Sequence, residues 1–212
     1  MGKILNAYIL PHPPIIVPGI GMGRERKAAK TIEAMQKAKL AGIDAGGLSE
    51  ERKSIYNISN QLDHGALVPL YFIAKELEKF RLVCLSTPFL PLRKLYVFGK
   101  CIQEAVEELG ENVTYIASGD LSHRLAPDSS IGFSPKGREY DESLVQKVQK
   151  GDVEGLLNTK ESVLEEAGEC GTRSIVMMFG ALHNKEFNTE VYSYEGPFGV
   201  GYMIAKVNAA EI

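Results

Sequence analysis

The stretch Val113-Thr-Tyr-Ile-Ala-Ser-Gly-Asp-Leu-Ser-His123 changes character partway along. Thr114, Tyr115 and Ile116 favour a buried strand, and Gly119 lets the chain turn. The polar groups Ser118, Asp120, Ser122 and His123 then fall at the strand's carboxyl end. In an α/β sheet, ligands bind at that end of the strands. The stretch is therefore a candidate active-site edge, and the rest of the chain has to supply partners for His123.

Read in order, Ile4 to Leu10 predicts a first strand, which runs into Pro11-His-Pro-Pro14 and ends near Pro18. Prolines stop a strand and stiffen the residues after it, so His12 is held in a rigid turn. Gly19, Gly21 and Gly23 precede a helix from about Arg24 to Lys39. The glycine spacing is not GxGxxG, which argues against a phosphate cradle. No strong strand stands between Leu40 and Asn60. Gly65 after His64 looks like a turn into an apolar helix that runs towards Lys79, with Pro69 in its early part. Arg81 to Thr87 predicts a buried strand, and Leu92 to Leu109 a helix stopped by Gly110. Ala126 to Gly137 predicts a loop. Helices are expected over Arg138–Lys150, Val153–Leu157, Lys160–Gly168 and Gly171–His183. Glu190–Tyr194 and Val200–Val207 predict paired strands joined by Glu195-Gly-Pro-Phe-Gly199. No repeat or linker divides the 212 residues, so a single domain over 1–212 is expected.

A formal net charge of -3 gives no basic footprint, which argues against nucleic acid as the main partner. No apolar run approaches the roughly 20 residues that span a bilayer. The N-terminus does not read as a signal peptide, so the cytoplasm is the expected location. The three cysteines, Cys84, Cys101 and Cys170, form no CxxC and suggest neither a disulfide framework nor a zinc knuckle. Cys84 and Cys101 read as small buried residues.

Of the four histidines, His123 is the best candidate for acid–base work, since an imidazole titrates near neutral pH. His12 and His64 read equally as structural or functional. His183 reads as a cap on a helix C-terminus. Glu169, before a strongly apolar helix, either favours the positive helix end or points inward as a metal ligand. Cys170 is a softer alternative ligand, a buried bystander, or the nucleophile of a hydrolase or transferase. Arg173 needs an anionic partner if buried, and Glu195 reads as a turn residue within reach of a site. Asp120, Ser122 and Arg173 are candidate substrate-binding residues. Two histidines and a carboxylate are the facial set of non-haem Fe(II) oxygenases.

Four motifs extend this reading. Pro11-His-Pro-Pro14, Leu62-Asp-His-Gly-Ala-Leu-Val-Pro-Leu70, Ser118-Gly-Asp-Leu-Ser-His123 and Glu169-Cys-Gly-Thr-Arg-Ser174 resemble those of the class III extradiol ring-cleavage dioxygenases of the catalytic, LigB-like type. The branch they resemble most is that of the AmmeMemoRadiSam system and the related Memo proteins, which Ser193-Tyr-Glu-Gly-Pro-Phe-Gly-Val-Gly-Tyr202 also fits. The resemblance implies an α/β fold, a three-layer αβα domain with a mixed central sheet. It implies a ferrous iron, or another divalent metal, with His12 and Glu169 as ligands and Cys170 as the Memo-type alternative to Glu169. It makes His123 the acid–base histidine and His64 the histidine that helps orient substrate or oxygen. The expected substrates are a catechol-type aromatic and dioxygen. One family element has no counterpart: the second histidine ligand, in a Ser-Pro-His-Gly type turn, is missing between Lys39 and Leu62, so the chain reads as shortened around residues 39–62. This motivates a second expectation, a Memo-like binding module acting with an AMMECR1 or radical-SAM-type protein. A homo-oligomer is expected only from the family.

Overall fold

The apolar runs separate into strands and helices as their periodicities predict. A computed structural model describes residues 3–10, 15–19, 64–76, 81–85, 87–110, 112–129 and 131–209. Within them the chain forms β1 (Lys3–Leu10), β2 (Ile15–Gly19), α1 (His64–Glu76), β3 (Arg81–Leu85), α2 (Leu92–Leu109) and β4 (Asn112–Ser118). Then come α3 (Pro135–Lys150), α4 (Val153–Leu157), α5 (Glu161–Ala167), α6 (Thr172–Ala181), β5 (Phe187–Glu195), a 3-10 turn (Pro197–Gly199) and β6 (Tyr202–Ala209).

The six described strands make one sheet in the order β3-β2-β4-β1-β6-β5. Among them only the β1–β4 pair is parallel; β1–β6, β2–β3, β2–β4 and β5–β6 are antiparallel. This is the mixed sheet of the expected α/β fold. β4 lies inside it, between β2 and β1, so the residues that come after β4 emerge from the middle of a sheet edge. In the parallel pair Leu10 stands opposite Ser118, so the chain leaves β1 at the same edge where β4 ends.

The sequence reading needs correction in three places. The segment after the Pro-rich turn is not simply the tail of the first strand: Ile15–Gly19 is a separate strand that pairs with both β3 and β4. Its Val and Ile residues override the proline signal. The loop expected to Gly137 ends earlier, because Ser134 caps α3 by accepting from the Lys136 amide at 3.2 Å, with Pro135 in the first helical position. His183 does not cap α6 with its side chain. Its Nδ1 meets the Tyr96 hydroxyl at 3.0 Å, and its carbonyl accepts from Gln103 Nε2 at 2.9 Å, which ties the end of α6 to α2. The helix expected over Arg24–Lys39 lies outside the described residues.

One face of the sheet is covered by α2, α6 and α3. Leu95, Phe98 and Ile102 of α2, Ile175, Met178 and Phe179 of α6, and Leu144 and Val148 of α3 enclose Val113, Tyr115 and Ala117 of β4 and Met203, Ala205 and Val207 of β6. The apolar run of α6 is buried along its length, as its sequence requires. Two glycines let α2 and α6 cross at backbone contact. A β-carbon on Gly99 would overlap the Met177 carbonyl, and one on Gly180 would overlap the Tyr96 carbonyl. The obstacles are backbone atoms, which cannot swing away. Gly99→Ala should therefore destabilise the fold by about 1–3 kcal/mol, the usual range for overpacking. Urea unfolding measures this, and a change within experimental error would mean the helices separate freely.

Candidate functional site

The stretch after β4 owes its position to another glycine pair. Gly119 takes no positive φ, so it is not present to permit an unusual turn. A β-carbon on Gly119 would run into the Gly171 α-carbon, and one on Gly171 would come within 2.9 Å of the Asp120 carbonyl oxygen. The two backbones touch, and the contact brings the start of α6 against the end of β4. The Cys170 amide donates to the Asp120 carbonyl at 3.2 Å, and the Asp120 amide donates to Cys170 Sγ at 3.2 Å.

Three ligand-capable side chains converge there. His123 Nε2 lies 3.4 Å from Asp120 Oδ2 and 3.9 Å from Cys170 Sγ, and the donor atoms of all three residues lie within 4.8 Å of one another. Asp120 is nearly enclosed, while 28% of the His123 side chain is exposed and open to an incoming molecule. A transition-metal ion with bonds of about 2.0–2.3 Å imposes donor separations of roughly 3–4 Å, so the two distances place His123 Nε2 either beside an ion held by Asp120 and Cys170 or as its third donor. A carboxylate, an imidazole and a thiol are a donor set for a divalent transition ion, and the soft sulfur does not single out iron. Burial, followed by the Asp120 and Glu169 charges, pushes the Cys170 thiol up to about 12. The thiol is thus protonated at neutral pH. That disfavours a free thiolate nucleophile and means a cation would have to displace the proton. Tyr202, at the start of β6, is also raised, by burial and then by the charges of Asp120 and Cys170.

Glu169 turns away from this cluster. Its Oε2 accepts from the Thr172 amide at 2.6 Å and from the Tyr140 hydroxyl at 3.1 Å, and its Oε1 faces Arg173 Nη1 at 3.4 Å. The carboxylate is buried and neutralised there, and it stabilises the start of α6. Burial and then the Glu169 charge hold the Tyr140 hydroxyl far above its ordinary pKa. Arg173 pairs with Glu161 as well as Glu169 and lies over the ring of Phe89, 5.3 Å from its centroid. The anionic partner expected for a buried Arg173 is therefore present. Ser122 is fully enclosed: its hydroxyl donates to the Ala167 carbonyl at 2.8 Å and accepts from the Arg124 amide at 3.0 Å. His64 is the first residue of α1, where only the backbone is described, and His12 lies outside the described residues. Glu195 ends β5.

One participant was not anticipated. Asp141 of α3 is buried, accepts from the Ser122 amide at 2.8 Å through Oδ1, and accepts from the Tyr194 hydroxyl at 2.7 Å through Oδ2. Its sequence signal is its place on the buried stripe of α3 with Gly137, Leu144 and Val148, where an apolar residue is expected. A cavity of about 290 Å³ beside α3 is lined by Lys136, Tyr140, Lys147 and Thr159, among others, but by none of the converging trio.

Burial raises Asp141 from 3.8 to about 6, against the opposing hydrogen bonds of Tyr194 and Ser122. A carboxyl raised in the folded state supports the fold when protonated and loses that support as pH rises through its native pKa. The stability of the native chain relative to Asp141→Asn should therefore fall between pH 3.8 and about 6, by up to about 3 kcal/mol. Urea unfolding of both proteins across this range tests the sign, and a flat or rising difference would contradict it.

Comparisons with known proteins place the chain in a family. The profile of the catalytic LigB subunit of aromatic ring-opening dioxygenase matches residues 29–205. The protein CA_C1420 of Clostridium acetobutylicum is 35% identical, over 95% of this chain and 57% of its own length. That match runs over 267 positions, more than this chain has, so part of the relative inside the matched span has no counterpart here. The 3,4-dihydroxyphenylacetate 2,3-dioxygenase of Escherichia coli is 30% identical over 67% of this chain and 55% of its own length. The chain thus spans little more than half the length of these two relatives. The crystal structure of the uncharacterized protein JW3007 from Escherichia coli K12 shares the fold, with a TM-score of 0.59 at 14% identity, covering 97% of this chain and 81% of the other. With most of its length matched by the family profile, the chain belongs to the family of the catalytic LigB subunit of aromatic ring-opening dioxygenases.

Proposed function

We propose that the chain is a metal-dependent extradiol-type dioxygenase that opens the ring of a catechol-type substrate with dioxygen. The observation that carries this reading is the convergence of Asp120, His123 and Cys170 at the carboxyl end of β4, in a chain of this family. Cys170 and Asp120 would hold the ion, and Cys170 is preferred to Glu169, whose two oxygens face Thr172, Tyr140 and Arg173. The ion, when bound, supplies the Lewis acidity that favours an ionised catechol hydroxyl and a binding position for dioxygen; Fe(II) is the ion the family resemblance implies, with another divalent metal as the alternative.

His123 handles protons in this reading. Its Nε2 is at the cluster and its ring is open to substrate, which is where a base for a diol hydroxyl has to be. Asp120 Oδ2, 3.4 Å away, orients the ring and stabilises its cationic form after it takes the proton. The same nitrogen can return that proton to a product oxygen. Arg173 and Ser122, both engaged within the protein, would shape the site rather than contact the ring. His12 and His64 keep the roles the family resemblance implies, as a metal ligand and a substrate-orienting group.

Anaerobic loading with Fe(II), followed by a panel of catechols and oxygen, should give the yellow ring-opened product. His123→Ala should keep the metal and lose about 10²–10⁴-fold in turnover, whereas Cys170→Ser should lose metal. No product from any catechol, with metal bound, would sink the dioxygenase reading. Loss of metal in His123→Ala would instead make His123 a ligand. A second reading, a binding module that has lost the oxygenase reaction and acts with an AMMECR1 or radical-SAM-type partner, is favoured by the part of the longer relative that has no counterpart here. Co-purification with such a partner, unchanged by His123→Ala in an inactive protein, would support it.

A further inference from the structure

The turn that carries Asp120 and His123 has no regular secondary structure, yet the four amides from Asp120 to His123 are bound. Asp120 donates to Cys170 Sγ, Leu121 to the Gly201 carbonyl at 2.8 Å, Ser122 to Asp141 Oδ1 and His123 to the Ala167 carbonyl at 3.3 Å. Gly201 also donates back to the Ser122 carbonyl at 2.8 Å. Two of these acceptors are backbone carbonyls and one is the sulfur of the site itself. Asp141 alone is a carboxylate brought in from a separate helix.

Several features show that the carboxylate is a built part of the molecule. It is fully buried, and each of its oxygens has a donor, Ser122 N and Tyr194 Oη. Residue 201 has to be glycine beside it, because a β-carbon there would overlap Asp141 Oδ2. Burying a carboxylate is costly even when it is hydrogen-bonded. A neutral acceptor would hold one amide at lower cost. Arg138 and His123 are close enough for their charges to act on it.

We propose that Asp141 is a positioning residue for the site: held by Tyr194 and packed against Gly201, its carboxylate fixes the Gly119–His123 turn so that Asp120 and His123 face Cys170. The proposal rests on the metal-site reading for its consequence in binding, but not for its effect on the turn.

The test compares Asp141→Ala and Asp141→Asn with the native chain by amide hydrogen exchange in the metal-free protein and by cobalt(II) titration. In Asp141→Ala the Leu121 and His123 amides, neither of which touches residue 141 directly, should exchange at least ~10-fold faster. The Met177 and Phe179 amides of α6 should keep their protection. Cobalt affinity should fall about 10–100-fold, as it does on loss of a group that orients ligands, and the sulfur-to-cobalt absorption band should change shape at saturation. Asp141→Asn, which keeps an acceptor for Ser122, should restore most of both. Unchanged exchange at His123 would overturn the proposal, and so would a uniform rise that included α6, which would mark Asp141 as a general stabiliser. If the native chain takes no cobalt while the local exchange pattern holds, the metal reading fails and the positioning role stands.

Discussion

The site depends on a contact between two stretches of bare backbone. Gly119, just past β4, and Gly171, just before α6, lie too close for a β-carbon on either. Their approach lets Cys170 and Asp120 exchange hydrogen bonds, and it places the sulfur beside the imidazole of His123. Any side chain at these positions would drive α6 away from the sheet edge. The same helix is held from its other end by the Gly99–Gly180 crossing with α2. α6 is thus fixed at both ends by glycine contacts, and its apolar run Ile175–Phe179 fills the space between them. Close-packed interiors transmit small displacements rather than absorbing them, so a site built in this way is rigid.

Around this contact two carboxylates are buried beside Asp120, and they differ in character. Glu169 meets an arginine, a tyrosine hydroxyl and a helix amide, so its charge is compensated where it stands. Asp141 meets a hydroxyl and an amide directly, and burial raises it to about 6. The first secures the start of the helix that Cys170 leads into, and the second secures the turn that carries His123. The Asp120–His123–Cys170 cluster therefore lies between two polar anchors from different parts of the chain.

Much of the framework was legible in the sequence because local patterns determine it. The strand before Gly119, the helix stopped by Gly110 and the buried α6 are set by residue type and period alone. β2 was hidden because Pro18 sits inside it, and its partners β3 and β4 lie far along the chain. For the site, the sequence singled out Asp120, His123 and Cys170 without showing that they meet. It also left Glu169 and Cys170 as adjacent alternatives. Their side chains leave the backbone in different directions at the start of α6, and only tertiary packing decides which one reaches His123. Gly119 was read as a turn residue, although its function is close approach to a partner distant in sequence. Asp141 is not distinguished by the sequence because it stands beside Glu139 and Glu142, and acids on an amphipathic helix ordinarily face solvent.

The central claim is that the Gly119–Gly171 contact builds a cation site with a sulfur donor. X-ray absorption at the metal edge of the cobalt(II)-loaded chain tests it most directly. The account predicts one sulfur in the first coordination shell, absent in Cys170→Ser. A shell of nitrogen and oxygen alone in the native chain would contradict it.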